Sequence, residues 1–267
     1  MHTFNDEKMI IDTYKKAIKN SQIKYIGGFF RCFRIKKLTK SFLFSKSWIN
    51  SSAKYDLPPD FHNNKHHLMM EVMRVDDCVN KIDGKHVSNS FERTNNCLKN
   101  IIGENYKETR DNIPIYFVPD TRNSNEYNFE GYLKNFARII NKHSSKIENY
   151  HKNYPQCKEV IFFICDESNN YVQVTKEEDL KKENNPNVYV KNALIHCHFF
   201  DNDFLDIIKN CKADYVIWMG YYKSIFINGK EFKFPKVCIY DVKNIKINGH
   251  KYNHKLMLKV KNEVGFK

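Results

Sequence analysis

Apolar residues in this chain are concentrated in four short runs that polar stretches separate. The runs cover residues 68–75, 160–165, 215–219 and 237–242, and Val, Ile, Met and aromatic side chains dominate them. A strand that is buried on both faces has this composition, because neither side of it meets solvent. The runs at 68–75 and 160–165 therefore predict buried strands, and the runs at 215–219 and 237–242 predict further strands.

Helical periodicity marks several of the segments between these runs. Apolar residues recur at i, i+3 and i+4 over about residues 9–18, 91–102 and 129–150, which is the spacing of one face of an α-helix. The other face of the helix predicted at 129–150 is basic. A further helix is predicted to begin at Asp201 or Asp203, because a short acidic side chain caps the first turn of a helix.

Strands that alternate with helices in this way predict an α/β fold, in which helices flank a mixed β-sheet. Asn-Gly pairs at 228–229 and 248–249 are typical of hairpin turns and predict an antiparallel C-terminal part. The length of 267 residues suits a single domain, residues 1–267. We expect its core at about 1–168 and a C-terminal extension at about 188–267.

Three further segments are assigned from their composition. Residues 113–118 favour a strand but lie between two prolines, which predicts a strand at a sheet edge. Residues 172–187 are dense in Lys, Glu and Asn, which predicts an excursion on the surface. Residues 188–200 predict a further strand.

The composition predicts a folded protein in the cytoplasm. Hydrophobic residues make up 41% of the chain and aromatic residues 14%, which argues against global disorder. No apolar run approaches the roughly 20 residues that span a bilayer, and the N-terminus lacks the pattern of a secretory signal. The eight cysteines form no CxxC pair, which is typical of buried thiols in a reducing compartment. We expect no membrane partner.

The charge balance favours a polyanionic partner. The chain has 44 Lys and Arg against 31 Asp and Glu, a net charge of +13, and such cations release counterions when they bind nucleic acid. Residues 29–48 alternate aromatic with basic side chains, so Arg31, Arg34, Lys36 and Lys37 are candidate nucleic-acid contacts. The same alternation is typical of the buried side of a strand pair, and that interpretation is favoured for this segment. Homo-oligomerisation stays open.

One acidic residue interrupts the strand predicted at 68–75. Glu71 places a carboxylate among apolar residues, and a buried charge of this kind needs a cation, a metal ion or a hydrogen-bond donor. Upstream, two prolines stiffen the approach to Asp60 before the turn-forming residues 63–64 reverse the chain. A hairpin therefore brings Asp60 beside Glu71, and two carboxylates at one strand edge suit Mg²⁺ or Mn²⁺.

Pro59-Asp60, a short hairpin and an apolar strand that carries Glu71 resemble the PD-(D/E)XK nuclease superfamily. The resemblance implies a restriction-endonuclease-like core in which Asp60 and Glu71 hold Mg²⁺ or Mn²⁺ and phosphodiester bonds in DNA or RNA are hydrolysed. The family places a Lys two residues after the Glu, where this chain has Met73. Arg74 is the candidate catalytic cation next to it, although a period of two sends it to the opposite face unless a bulge intervenes.

Other sources of the missing cation are also open. The candidates are Lys65, His66, His67 and Lys85. If none of them supplies it, the site is inactive, and the alternative function is a catalytically inactive nuclease-fold module that binds nucleic acid or a protein. The chain has no phosphate-binding glycine loop and no nucleophile elbow, which argues against an NTPase, a dehydrogenase and a serine hydrolase.

Two more segments contain candidate chemistry. Asp166, Glu167 and Ser168 come at the end of the strand at 160–165, where ligands commonly bind in α/β sheets, and a turn cap is the alternative. Residues 196–203, HCHFFDND, look like the HxHxD box of metallohydrolases, but the Asp is one position late and no further His follows. A helix cap is the favoured interpretation of the acids in this second segment.

Overall fold

The computed structural model describes residues 14–15, 23–26, 38, 47–51, 57–77, 81–82, 85–86, 128–182, 193–220, 224–227 and 230–260. Four predictions fall mostly or wholly outside these residues: the helices at about 9–18 and 91–102, the edge strand at 113–118, and the aromatic and basic segment at 29–48. The four apolar runs all lie within the described residues.

Each of the four apolar runs forms a strand, as the sequence predicts. The described residues form these strands: β1 (Ile23–Ile26), β2 (Ile49–Asn50), β3 (Phe61–Asn63), β4 (Leu68–Val75), β5 (Lys81–Ile82), β6 (Lys85–His86), β7 (Glu159–Asp166), β8 (Asn170–Gln173), β9 (Leu194–Ile195), β10 (Tyr215–Gly220), β11 (Ser224–Ile227), β12 (Lys230–Lys233), β13 (Val237–Asp241) and β14 (Met257–Val260). The α-helices that lie wholly within the described residues are α1 (Phe129–Ser144), α2 (Ile147–Asn153) and α3 (Asn202–Lys209). Over this part of the chain, no helix is long and apolar enough to cross a membrane.

Seven of the strands form one mixed sheet in the order β1-β13-β10-β7-β4-β3-β2. The central strands β4, β7 and β10 are parallel neighbours, whereas β3 runs antiparallel to β4 and β13 antiparallel to β10. Parallel neighbours require crossover connections, and α1 and α2 precede β7 while α3 precedes β10. The predicted α/β fold with a mixed sheet is confirmed.

Each face of this sheet has its own hydrophobic core. On one face, Met69 and Met73 of β4 belong to a cluster with side chains of β7, β10 and α1, among them Phe136, Phe162 and Trp218. On the other face, Met70 packs in a second cluster with Ile161, Phe163, Ile217, Tyr14 and Leu38. Because side chains alternate along a strand, Glu71 lies on the face that α1 covers.

The C-terminal part contains antiparallel pairs, as predicted. Strands β11 and β12 pair across residues 228–229, and β14, β8 and β9 form a separate antiparallel sheet. Strands β10 and β13 come from the segment predicted as a C-terminal extension. They lie in the same sheet as β4 and β7, so this segment supplies central strands.

Four local predictions are wrong. The hairpin turn predicted at 248–249 joins no pair of strands, because residues 245–249 form neither helix nor strand and are followed by an isolated bridge at His250. The surface excursion predicted at 172–187 begins in β8 with the buried Val172, and Val174 is buried after it, because both side chains pack in the core before the charged stretch begins. The strand predicted at 188–200 is reduced, over its described residues, to β9 and a 3-10 helix, His198–Phe200. The single helix predicted at 129–150 is two helices, since Ser145 and Lys146 form a turn between α1 and α2.

The centre of the sheet should dominate stability. Phe163 is fully buried in β7, with its ring 5.4 Å from that of Tyr14, so Phe163→Ala should lower the free energy of unfolding by about 3–5 kcal/mol. The exposed Lys176 is the control, and Lys176→Ala should change it by less than about 0.5 kcal/mol. Urea denaturation followed by circular dichroism measures both, and equal effects would contradict this placement of the core.

Candidate functional site

The β3–β4 hairpin sets two acidic residues opposite each other. Phe61 pairs with Met70 and Asn63 with Leu68, so one further step of the same register puts Asp60 opposite Glu71. Residues 64–67 form the turn at the other end of the hairpin. Directly opposed residues of an antiparallel pair lie on the same face, and like charges in these positions repel. The hairpin therefore concentrates negative charge at one point.

Asp60 is anchored to the neighbouring strand through its side chain. Its Oδ2 accepts a hydrogen bond of 2.7 Å from the backbone N–H of Val72. Strand β3 begins only at Phe61, so the carboxylate satisfies an N–H of β4 that lies past the end of the β3 ladder. This bond holds the Asp60 carboxylate against β4, one residue away from Glu71.

Glu71 is paired with a histidine from the helix above it. Its Oε1 lies 2.8 Å from Nδ1 of His143, and only 9% of its side chain is exposed. Its Oε2 is buried as well, and no donor in the described part of the chain bonds to it. Burying a carboxylate oxygen without a hydrogen bond is costly. Among the residues that the structure describes, only one of the two carboxylate oxygens of Glu71 is therefore paired with a donor.

A tyrosine from α2 completes the group. The hydroxyl of Tyr150 lies 3.3 Å from Nδ1 of His143. Burial raises the pKa of this phenol above its ordinary value. The nearby charge of Glu71, a hydrogen bond with that carboxylate and the charge of Asp60 raise that pKa further. The phenol thus stays protonated at physiological pH, and both carboxylates act on it. We call Asp60, Glu71, His143 and Tyr150 the acid-pair site.

The end of α2 is bound to the start of the hairpin. The amide Nδ2 of Asn153 donates a 2.7 Å hydrogen bond to the carbonyl of Pro58, and the ring of Tyr154 stacks on His62 with centroids 4.2 Å apart. Burial lowers the pKa of His62, whose Nδ1 lies 2.9 Å from Oγ of Ser51. These contacts hold the C-terminal end of α2 against the start of the hairpin that carries Asp60.

The other residues predicted for this site lie elsewhere or outside the described part of the chain. Arg74 is on the opposite face of β4 from Glu71, and its Nε lies 3.8 Å from a carboxylate oxygen of Glu167. Met73 shares the face of Glu71 and is buried in the core. Lys65, His66 and His67 lie in the hairpin turn, at the other end of the hairpin from the acid pair. The side chain of Lys85 lies outside the described part of the chain, as do Arg31, Arg34, Lys36 and Lys37.

Sequence reasoning did not assign His143 and Tyr150 to the site. The available signal was a histidine on the apolar stripe of the helix at 129–150, among Phe136, Ile140 and Ile147. A polar side chain at such a position packs toward the core, where it needs a partner. The sequence gives the need for a partner but not the identity of Glu71 as that partner.

In a second histidine–carboxylate pair, both oxygens of the carboxylate have hydrogen-bond partners. Nε2 of His196 lies 2.7 Å from Oδ2 of Asp201, which is fully buried. The other oxygen, Oδ1, accepts a 2.9 Å hydrogen bond from the backbone N–H of Asp203 and caps α3. The helix cap favoured for this segment is confirmed at Asp201, and the ring of His198 packs 4.3 Å from that of Trp218.

The acidic residues at the end of β7 are also bonded within the protein. Oδ2 of Asp166 accepts hydrogen bonds from the hydroxyl of Tyr132 at 2.6 Å and from Nε1 of Trp218 at 3.0 Å. Its Oδ1 accepts from the backbone N–H and the hydroxyl of Ser168. Burial, the charge of Asp166 and its hydrogen bond raise the pKa of Tyr132 well above its ordinary value. This is the turn cap that the sequence offered as an alternative.

Among the described residues, no group of three or more His, Cys, Asp or Glu side chains is arranged to hold a metal ion. The acid-pair site contains three side chains of these types, Asp60, Glu71 and His143, and they do not form such a group. In comparisons with known proteins, no family model, no curated protein and no solved structure matches this chain. The chemistry of the site therefore rests on its own geometry.

The two histidine–carboxylate pairs should respond differently to removal of the charge. Glu71→Gln keeps an acceptor for His143 and replaces an oxygen that has no donor, so the free energy of unfolding should change by less than about 1 kcal/mol. Asp201→Asn sets an N–H₂ group against a donor and should cost about 1–3 kcal/mol. Parallel urea denaturation compares the variants, and an equal loss would assign Glu71 a purely structural role.

Proposed function

We propose that this protein hydrolyses phosphodiester bonds in DNA or RNA at the acid-pair site, with a divalent metal ion. The observation that carries the proposal is the buried Oε2 of Glu71, which has no hydrogen-bond donor among the described residues and belongs to the residue opposite Asp60 in the hairpin register. Two opposed carboxylates repel each other unless positive charge lies between them. A divalent cation bound by both carboxylates would supply such charge.

The donor set fits Mg²⁺ or Mn²⁺. Carboxylate oxygens are the ligands these hard ions prefer, and Mg²⁺ commonly binds through one or two carboxylates while water and substrate phosphate complete its shell. Asp60 and Glu71 would hold the ion. When bound there, it would lower the pKa of a water molecule and stabilise negative charge on the phosphate.

His143 is proposed as the cation that replaces the family's lysine. Its ring lies beside Glu71, and it reaches that place from a helix, whereas Met73 occupies the strand position where the family has Lys. When protonated, the imidazole places positive charge next to a bound phosphate. Tyr150, whose raised pKa keeps it protonated, would donate a hydrogen bond to a phosphate oxygen.

The wider assignments belong to the same proposal. The hairpin that presents Asp60 and Glu71 is the part that resembles the PD-(D/E)XK superfamily, so we propose a restriction-endonuclease-like core. Nucleic acid is the proposed partner because the net charge is +13 and cations bind its backbone. Contacts through Arg31, Arg34, Lys36 and Lys37, and a cytoplasmic location, stay predictions.

A second candidate function keeps the fold without the chemistry. Met73 stands at the lysine position, and Oε1 of Glu71 is already paired with His143. Both observations favour a catalytically inactive module that binds nucleic acid or a protein. The two candidates differ in one property, which is metal-dependent cleavage.

Cleavage of plasmid and single-stranded substrates in Mg²⁺ or Mn²⁺ tests the proposal. Asp60→Asn and Glu71→Gln should each lower the cleavage rate by about 100-fold or more, because each removes a charged metal ligand. Glu167→Gln is the matched control on the opposite face and should retain activity. Chelation with EDTA should stop the reaction of the wild-type protein.

The folded state of each variant is checked by its thermal unfolding curve. If wild-type protein cuts no substrate in either metal but binds nucleic acid in a salt-sensitive way, the inactive module is the correct assignment. If the acid-pair variants cut as fast as the wild type, the active site lies elsewhere.

A further inference from the structure

Helix α1 and the turn after it contain a run of positive charge that the acid-pair site does not use. Residues 131–147 include four Lys or Arg residues and no Asp or Glu. The four are spaced by four residues, and we call them the α1 ridge: Lys134, Arg138, Lys142 and Lys146. A row with this spacing runs along one side of a helix.

The ridge leads toward the acid-pair site. Four residues turn a helix by about 400°, so each step along the row rotates it by about 40° and advances it by about 6 Å. This rotation carries the row from the exposed side at Lys134 toward the side of His143, which contacts Glu71. Lys142 and Lys146 flank His143 in the sequence. The positive row and the acid pair therefore meet at the end of α1.

The side chains of the ridge are accessible. Lys134 is 73% exposed and pairs with Glu130 at 2.7 Å, whereas Arg138 and Lys142 are exposed and Lys146 is half-buried. Lys212 lies beyond the far end, where its backbone N–H is 3.5 Å from Oγ of Ser144 and its Nζ pairs with Glu148 at 3.9 Å. The positive surface is about 18 Å long, which is about five nucleotides of one strand at 3.4 Å each.

We infer that the α1 ridge binds the phosphate backbone of a nucleic-acid strand and leads it to the acid-pair site. The inference rests on the proposed function for the chemistry at the end of the ridge, but binding along the ridge can be measured by itself. Evenly spaced cations neutralise a regular row of phosphates, and the counterions released on binding supply the free energy.

The surface fits a nucleic acid better than a protein partner. Stable protein interfaces have an apolar or aromatic centre, and the large hydrophobic residues exposed in the described part of the chain are Ile49, Leu57, Leu194 and Phe232. None of these lies on α1. The ridge offers charge without an apolar anchor, which is the character of a contact with a phosphate backbone.

Charge reversal along the ridge tests the inference. The ridge variant is Arg138→Glu, Lys142→Glu and Lys146→Glu in the full chain, and the control is Lys176→Glu, Lys236→Glu and Lys255→Glu, three exposed lysines elsewhere. Both variants change the net charge equally. Binding of a labelled 20-nucleotide single strand is measured over a range of salt concentrations, and hydrolysis of bis(4-nitrophenyl) phosphate is measured in Mn²⁺.

The ridge variant should bind the strand at least about tenfold more weakly. The slope of log K against log salt concentration should be smaller in magnitude by about 2, because each of the three lost phosphate contacts contributes about 0.7 to it. The control should bind within about twofold of the wild type. Hydrolysis of the small diester should be unchanged, because it is too short to reach the ridge.

Equal binding by the ridge and control variants overturns the inference, as does ridge-dependent binding that is tighter for poly-glutamate than for the strand. If ridge-dependent binding is found but the wild type hydrolyses neither substrate, the inference stands and the proposed function fails.

Discussion

The structure around the candidate site depends on one carboxylate that β4 carries into the protein interior. Glu71 lies between Met69 and Met73 on the face that α1 covers, and His143 meets just one of its oxygens. A buried ion pair of this kind gains little net stability, because loss of solvation offsets the attraction between the charges. A hydrophobic residue of similar size would pack there at least as well. Its retention in the core therefore favours a functional explanation.

The protein's other buried acids show that it satisfies carboxylates elsewhere. Asp201 has a histidine on one oxygen and a helix N–H on the other, and Asp214 accepts from the N–H of Val160 and pairs with Lys243 at 2.7 Å. Asp166 has donors on both oxygens. Glu71 departs from this pattern by leaving one buried oxygen without a donor in the described part of the chain. A buried carboxylate oxygen in this state calls for an explanation, and a bound ion is one such explanation.

The sequence predicted the local features of this arrangement better than the long-range ones. Apolar runs identified β4, β7, β10 and β13, because burial on both faces leaves a compositional signal that needs no knowledge of neighbours. Turn-forming residues identified the β3–β4 hairpin, and the acid inside an apolar strand identified Glu71. The order of the strands, and the meeting of Glu71 with His143 of a distant helix, depend on packing that no local pattern records. The charged stretch after Val174 also concealed β8, because the three buried residues of β8 before that stretch are outweighed by many exposed ones.

The candidate site lies away from the carboxyl ends of the parallel strands, because side chains of the protein already occupy that edge of the sheet. Ligands of parallel sheets commonly bind past the carboxyl ends of the strands, but here Tyr132, Trp218 and Ser168 occupy that edge and bond to Asp166. Glu71 is four residues before the end of β4, about 13 Å from that edge, beside the hairpin where β3 begins. In the proposed function, a substrate would reach Glu71 past the hairpin and the end of α1 rather than through the usual crevice. The end of α1 is also where its positive row arrives, so the proposed binding and the proposed chemistry would share one approach.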